Sequence, residues 1–181
     1  MVTEEVILVD ERNVPIGTAP KLEVHTAETP LHRAFSIFLF NDRKELLLQR
    51  RSRYKKTWPL VWSNSCCGHP QPGEETEAAA HRRMRQELGI EGIALQNVLP
   101  NFRYRAELDG IVENEICPVF VGHIQENPVI NPQEIEAIRW IDWEQFLQES
   151  REPDCQYSPW SILEAHELSQ DYTFQVLLDN M

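Results

Sequence analysis

The sequence predicts an α+β fold, an α/β/α sandwich built on a mixed β-sheet. Three observations carry this expectation: short segments rich in branched and aromatic residues recur along the chain, helical segments fall between them, and no repeat or low-complexity tract interrupts the pattern. The 181 residues fit one domain, 1–181, better than two, and that length buries a core without covalent staples. Hydrophobic content of 41% and charged content of 25% are ordinary for a globular chain, which excludes disordered and collagen-like classes.

Val6–Val9 reads as a first strand, Asp10–Asn13 as a polar turn and Val14–Thr18 as a second extended piece. Ala34–Phe40 is aromatic and branched, Asn41-Asp42 turns the chain and Glu45–Arg50 returns, which predicts a hairpin. Tyr54–Gly73 holds aromatics and Pro59, Pro70 and Pro72 without a period, and reads as an ordered functional loop. Glu74–Leu88 is the best helix, flanked by Gly73 and Gly89, with Ala80, Met84 and Leu88 on a stripe that should face a sheet. Strands follow at Phe102–Ala106 and Ile111–Val121, then one near Ile138–Ile141 running into a helix over Trp143–Ser150. Ser158-Pro159-Trp160 opens a last helix through Leu168, with proline at the first helical position.

The formal net charge is -12 and there is no long Lys/Arg run, so a nucleic-acid partner is not expected. Cys66 and Cys67 are adjacent, and with Cys117 and Cys155 they make a poor disulfide framework; free thiols in a reducing compartment are the simpler account. Met1-Val2-Thr3-Glu4-Glu5-Val6 carries acids where a signal peptide carries bases, and no apolar stretch approaches the ~20 residues of a membrane helix. The expectation is a cytoplasmic protein with no membrane partner.

Ser63-Asn64-Ser65-Cys66-Cys67-Gly68-His69-Pro70 places thiols beside an imidazole just upstream of the main helix. From Gly68 the chain resembles the Nudix box: Gly68, Glu74, Arg82, Met84, Glu87, Gly89 and Ile90 match, while Arg83 and Gln86 stand where that box has acids. Positions 83, 86 and 87 share one helix face, which in a Nudix hydrolase would hold divalent cations and activate water. Here the face carries a cation, an amide and one acid. Glu87 still suits one hard cation such as Mg²⁺, with substrate phosphates supplying the remaining oxygens. Arg83 becomes a phosphate clamp, although Arg83 and Glu87 also have the spacing of an ordinary surface ion pair. Glu113 and Glu115 alternate onto one face of their strand, and His25, His32 and His69 could complete a site with them suited to Mn²⁺ or Zn²⁺. His81, His123 and His166 read as unrelated to any site.

The combined pattern resembles the type I isopentenyl-diphosphate isomerase family. The resemblance runs from about Val6 to Trp160 and rests on His25, His32, Trp62–Pro70, Phe102-Arg103-Tyr104-Arg105, Glu113-Asn114-Glu115 and Ser158-Pro159-Trp160. It implies a Nudix-like fold and, in isoprenoid biosynthesis, the interconversion of isopentenyl and dimethylallyl diphosphate through a tertiary carbocation. The implied proton carriers are Cys67 and Glu115, with Tyr104 as hydrogen-bond support and Trp160 as the aromatic face beside the cation. Trp62 and Tyr104 are further wall candidates, whereas Trp58, Trp140 and Trp143 read as core packing. The resemblance further implies a metal site of His25, His32, His69, Glu113 and Glu115, a second cation (Mg²⁺) held by Glu87 with the substrate diphosphate, and diphosphate contacts at Lys21, Arg51, Lys55 and Arg83. Lys56, Arg50 and Arg53 read as solvated neighbours. A Nudix diphosphohydrolase, supported by Gly68, Glu74, Arg82 and Glu87, and a non-enzymatic diphosphate-binding module are the competing readings. The order of proton transfer, the metal at the histidine site and the choice between monomer and homodimer stay open.

Overall fold

The computed structural model describes residues 4–181; Met1, Val2 and Thr3, which begin the acidic N-terminal segment and the 1–181 span, lie outside the described residues. The elements are β1 (Glu5–Val9), β2 (Pro15–Pro20), α1 (Lys21–Val24), β3 (His32–Arg33), β4 (Phe35–Phe40), β5 (Glu45–Arg51), β6 (Trp62–Ser63), β7 (Cys66–Gly68), α2 (Thr76–Leu88), β8 (Leu95–Leu99), β9 (Arg103–Leu108), β10 (Ile111–Ile116), β11 (Val119–His123), β12 (Ile135–Asp142), α3 (Trp143–Glu149), α4 (Pro159–Leu168) and α5 (Tyr172–Asp179). Two mixed sheets result. The smaller runs β2-β1-β3-β10-β9; the larger runs β12-β5-β4-β11-β8, with β6 paired to β5 and β7 to β4.

Every residue of β4 is buried, and alternation sends its side chains to two cores. Phe35, Ile37 and Leu39 meet the Ala80, Met84 and Leu88 stripe of α2 on one side. Phe38 and Phe40 meet Trp143 of α3, Leu168 of α4 and Phe174 of α5 on the other. The larger sheet is therefore the middle layer of an α/β/α sandwich, as the sequence predicts. Helix α2 begins at Thr76 rather than Glu74, because the Glu74 carboxylate is taken by the Gln71 amide at 2.9 Å and the Arg82 guanidinium at 2.7 Å. It ends on Gly89, whose φ of 67° suits glycine.

Three expectations need correction. The β4–β5 hairpin pairs only at Phe40 and Leu46, because β7 and β6, both inside the expected loop Tyr54–Gly73, insert between its arms. The expected strand Ile111–Val121 breaks at Cys117-Pro118: β10 stays in the smaller sheet and β11 enters the larger one. Pro118 has no N–H for a ladder, which ends the first strand there. The chain also continues past Leu168 into α5, capped by Asp171, and α1, β3 and β8 are elements the pattern did not predict. All four cysteines are free, and no helix among the described residues is long and apolar enough to cross a membrane.

Candidate active site

The site forms where the two sheets meet. Strand β3 is two residues long, yet it pairs with β1 through Leu8 and His32 and with β10 through His32 and Glu115, which puts His32 beside Glu115. His25 arrives from the end of α1, and His69 follows β7. One ligand atom from each of His25, His32, His69 and Glu115 lies within 4.8 Å of the others. Glu113 Oε2 stands 3.1 Å from His25 Nε2, which joins the fifth expected ligand to the group.

The backbone sets the direction of two imidazoles. His32 Nδ1 lies 2.9 Å from the Pro30 carbonyl and His25 Nδ1 lies 3.3 Å from that of Lys21, so each Nδ1–H donates outward and each Nε2 lone pair faces the cluster. His25 Nε2, His32 Nε2, His69 Nδ1 and Glu113 Oε2 are buried without an aligned hydrogen bond. Orphaned lone pairs of this kind are costly to bury unless something binds them. Burial drives the His69 pKa down to about 3 despite the adjacent Glu115, so its ring is neutral, as a metal ligand must be. Burial and then repulsion from Glu115 push Glu113 up. Burial acts the same way on Glu115, but the His32 and His69 imidazoles beside it outweigh burial and hold that carboxyl well below its usual range. Two acids and three imidazoles facing one point fit a divalent cation.

In the larger sheet, Cys67 sits on β7 opposite Ser36 of β4. Its thiol donates to Asn64 Oδ1 at 3.1 Å, the same oxygen that accepts from Trp160 Nε1 at 3.1 Å and Ser63 Oγ at 2.8 Å. Asn64 Nδ2 is fixed by the Ile37 and Cys66 carbonyls at 3.1 Å each. Trp160, in the first turn of α4, has its ring centroid 6.3 Å from Tyr104, whose hydroxyl donates to Glu115 Oε2 at 2.8 Å. Cys67 is thus tied through Asn64 to the Trp160 indole, and Glu115 to the neighbouring Tyr104 ring. Burial pushes the Cys67 thiol up to about 12, so it holds its proton. Trp58, read from sequence as core packing, is the ring facing Trp160 at 4.9 Å, whereas Trp62 lies under Arg139 at 4.7 Å and away from the wall.

The expected diphosphate contacts divide into two groups. Arg83 reaches Glu134 at 3.1 Å and also pairs with Glu87; Lys55 pairs with Glu134 and lies 4.0 Å from Glu87. Lys21 pairs with Glu4 at 2.6 Å and is lowered by burial and by the nearby charges of Arg83 and Lys55. These three cations and Glu87 are brought together. Arg51 is not among them: it donates to the Trp58 and Thr57 carbonyls at 3.1 and 3.0 Å, and its guanidinium lies 5.6 Å from the Trp160 ring centre. Lys56 reaches the Leu22 carbonyl and Arg53 pairs with Glu136 outside the cluster. Arg83 and Glu87 make a buried pair rather than the exposed one their spacing alone also allowed.

Sequence reasoning gave no role to Asn64 or Glu134. Asn64 lies inside the quoted motif and could have been found as the polar residue between two reactive neighbours. Glu134 lies in a polar stretch without a period, and no local signal marks it.

The fold and the α2 face define a Nudix-class protein. A NUDIX domain model matches residues 30–160. A Deinococcus radiodurans structure superposes with a TM-score of 0.72 over 93% of this chain and 99% of that one at 23% identity, and a Methanosarcina mazei MutT protein with 0.64 over 78% and 94% at 20%. Those likenesses show the fold. Relatives named isopentenyl-diphosphate Delta-isomerase are 50% identical over 92% of this chain and 91% of theirs in Paenarthrobacter aurescens, and 45% over 99% and 98% in Salmonella agona. The chain belongs to the isopentenyl-diphosphate Delta-isomerase family within the Nudix class.

Proposed function

We infer that this chain, acting as one unit over 1–181, interconverts isopentenyl diphosphate and dimethylallyl diphosphate. What supports the reading most is that two groups able to exchange protons, Cys67 and the Tyr104–Glu115 couple, are both tied to the Trp160–Tyr104 aromatic pair. Moving a double bond needs a proton delivered at one carbon and removed two bonds away, and no water. A buried wall of Trp160, Tyr104 and Trp58 excludes water and offers π faces to a carbocation. The α2 face argues the same way: with Arg83 and Gln86 in place of acids, it grips a diphosphate through cations and keeps only Glu87 of the carboxylates that activate water for cleavage.

Lys21, Lys55 and Arg83 bind the diphosphate in this reading, and Arg51 serves the hydrocarbon side by holding the Thr57-Trp58 segment over Trp160. His25, His32, His69, Glu113 and Glu115 would hold Mn²⁺ or Zn²⁺, and Glu87 with the diphosphate would hold Mg²⁺; these ions supply charge neutralisation and fix ligand direction. The partner is a small isoprenoid diphosphate met in the cytoplasm. The test is incubation with isopentenyl diphosphate and Mg²⁺ in D₂O. Deuterated dimethylallyl diphosphate is the expected product. Released phosphate or pyrophosphate would assign a hydrolase, and unchanged substrate a binding module.

A further inference from the structure

Three donors converge on one oxygen beside Cys67. Asn64 Oδ1 accepts from the Cys67 thiol at 3.1 Å, from Trp160 Nε1 at 3.1 Å and from the Ser63 hydroxyl at 2.8 Å. The other end of the amide settles its direction: Nδ2 donates to the Ile37 and Cys66 carbonyls, and a flipped amide would set oxygen against both. An amide oxygen has two lone pairs, so three donors exceed its capacity by one.

The three donors are not equivalent. The Trp160 indole has no second acceptor among the described residues. The Ser63 hydroxyl has one, since Ser158 Oγ lies 3.0 Å away and sends its own hydrogen to Ser161 Oγ at 2.8 Å. The thiol is the weakest donor of the three. It is also the one with room to turn, because Asn64, Ser63 and Trp160 are buried while Cys67 is half-buried. The Ser36 hydroxyl is farther from the sulfur, at 3.5 Å.

We propose that Asn64 and Ser63 are positioning residues for Cys67: the Asn64 oxygen holds the thiol hydrogen in a fixed direction, and the Ser63 hydroxyl turns from Ser158 to fill that oxygen when the thiol swings to the hydrocarbon. This deepens the isomerase reading and rests on it. A buried acceptor left empty is costly, and a standby donor removes that cost from the thiol's release. With Trp160 and Ser63 both bonded to it, Oδ1 is satisfied without Cys67. No covalent bond changes in this exchange; the hydrogens of Ser63 and Cys67 rotate about C–O and C–S bonds.

The test uses the whole protein and reads the thiol directly. The infrared S–H stretch of Cys67, identified as the band missing in Cys67→Ala, reports the strength of its hydrogen bond. In Ser63→Ala the thiol shares Oδ1 with Trp160 alone, so the band is expected at lower frequency than in wild type. The same variant is expected to lower kcat about fivefold with KM unchanged, because turning the thiol then leaves a buried lone pair empty, a loss of about one hydrogen bond. Asn64→Ala removes the acceptor, and its band should lie at higher frequency. A substitution that merely loosened the packing would weaken the thiol bond and raise the band in both variants. In Ser63→Ala, a band that stays or rises, or wild-type kcat, overturns the proposal whatever the fate of Asn64→Ala. A wild-type protein that leaves isopentenyl diphosphate unchanged would instead overturn the isomerase reading, while the S–H band would still report on the hydrogen bond.

Discussion

Glu134→Gln tests whether Glu134 is the acid that holds the phosphate-gripping cations in place before substrate arrives. Its side chain is 25% exposed and bonds to Lys55 and to Arg83 at 3.1 Å. Burial opposes ionisation, but Lys55 and Arg83 outweigh it and bring the carboxyl from the ordinary 4.5 down to about 2. At ~1.4 kcal/mol per pKa unit, that depression is worth at most about 3 kcal/mol, and solvent screening of the exposed quarter reduces it to about 1–2 kcal/mol. The sign follows from linkage: a depressed carboxyl stabilises the fold fully above pH 4.5 and loses that contribution as pH falls towards 2. The variant should therefore melt lower at pH 7, by roughly 2–4 °C per kcal/mol, and the gap to wild type should close as the solution is acidified. Freed of their acid, Lys21, Lys55 and Arg83 should also bind inorganic pyrophosphate more tightly, read as a larger ligand-induced rise in melting temperature. A gap that stays the same from pH 7 to pH 3, or weaker pyrophosphate binding, refutes the reasoning.

Three further outcomes follow from the site. Cys67→Ala should reduce isomerisation by roughly a hundredfold or more while pyrophosphate still raises the melting temperature; wild-type turnover would remove Cys67 from the reaction. Mn²⁺ or Zn²⁺ should raise the melting temperature of metal-stripped protein, by about 3 kcal/mol of stability at a hundredfold excess over Kd, and His32→Ala should abolish the gain. If that variant responds to the ion as wild type does, the histidine cluster is not the site. Gly68→Ala should cost about 1–3 kcal/mol, because a Cβ there would meet Phe35 Cζ at 2.7 Å and Arg83 Cγ at 2.9 Å; unchanged melting would show that the approach of β7 to α2 is looser than these distances.

The parts of the fold legible in the sequence are those written in local periodicity. The Ala80, Met84 and Leu88 stripe and the all-apolar run Phe35–Phe40 specify the middle layer and its α2 cover without reference to anything distant. The insertion of β6 and β7 between β4 and β5 was not legible, because pairs such as Ser36 with Cys67 form across the fold and leave no trace in either segment's pattern. Helix α5 failed for a related reason: its Phe174 finds its core through Phe40 and Trp143, far away in sequence. In the site, residue type raised His25, His32 and His69 as possible partners of Glu113 and Glu115, whereas the roles of Cys67 and Glu115 came only with the family resemblance. Asn64 and Glu134 were not legible, since an amide or an acid acquires its role from what long-range packing sets beside it.

The distribution of charge across the site explains how this fold holds a diphosphate without cutting it. Helix α2 aims positions 83, 86 and 87 at one place whatever residues occupy them, so exchanging two acids for Arg83 and Gln86 changes the chemistry there without disturbing the packing of Met84 and Leu88. Arg83 is buried and pairs with both Glu87 and Glu134, which fixes a cation where a hydrolase needs a carboxylate to orient water. At the Cys67 end the direct contacts are hydrogen bonds between neutral groups: Cys67 bonds Asn64 and lies beside Ser36, and the Trp160 indole bonds the same Asn64 oxygen, while the Arg51 guanidinium stands 5.6 Å from the Trp160 ring centre. In the isomerase reading, a carbocation beside the buried Trp160, Tyr104 and Trp58 rings would meet π density on its flank and no oxygen nucleophile from solvent, the condition under which it survives long enough to lose a proton rather than gain a hydroxyl.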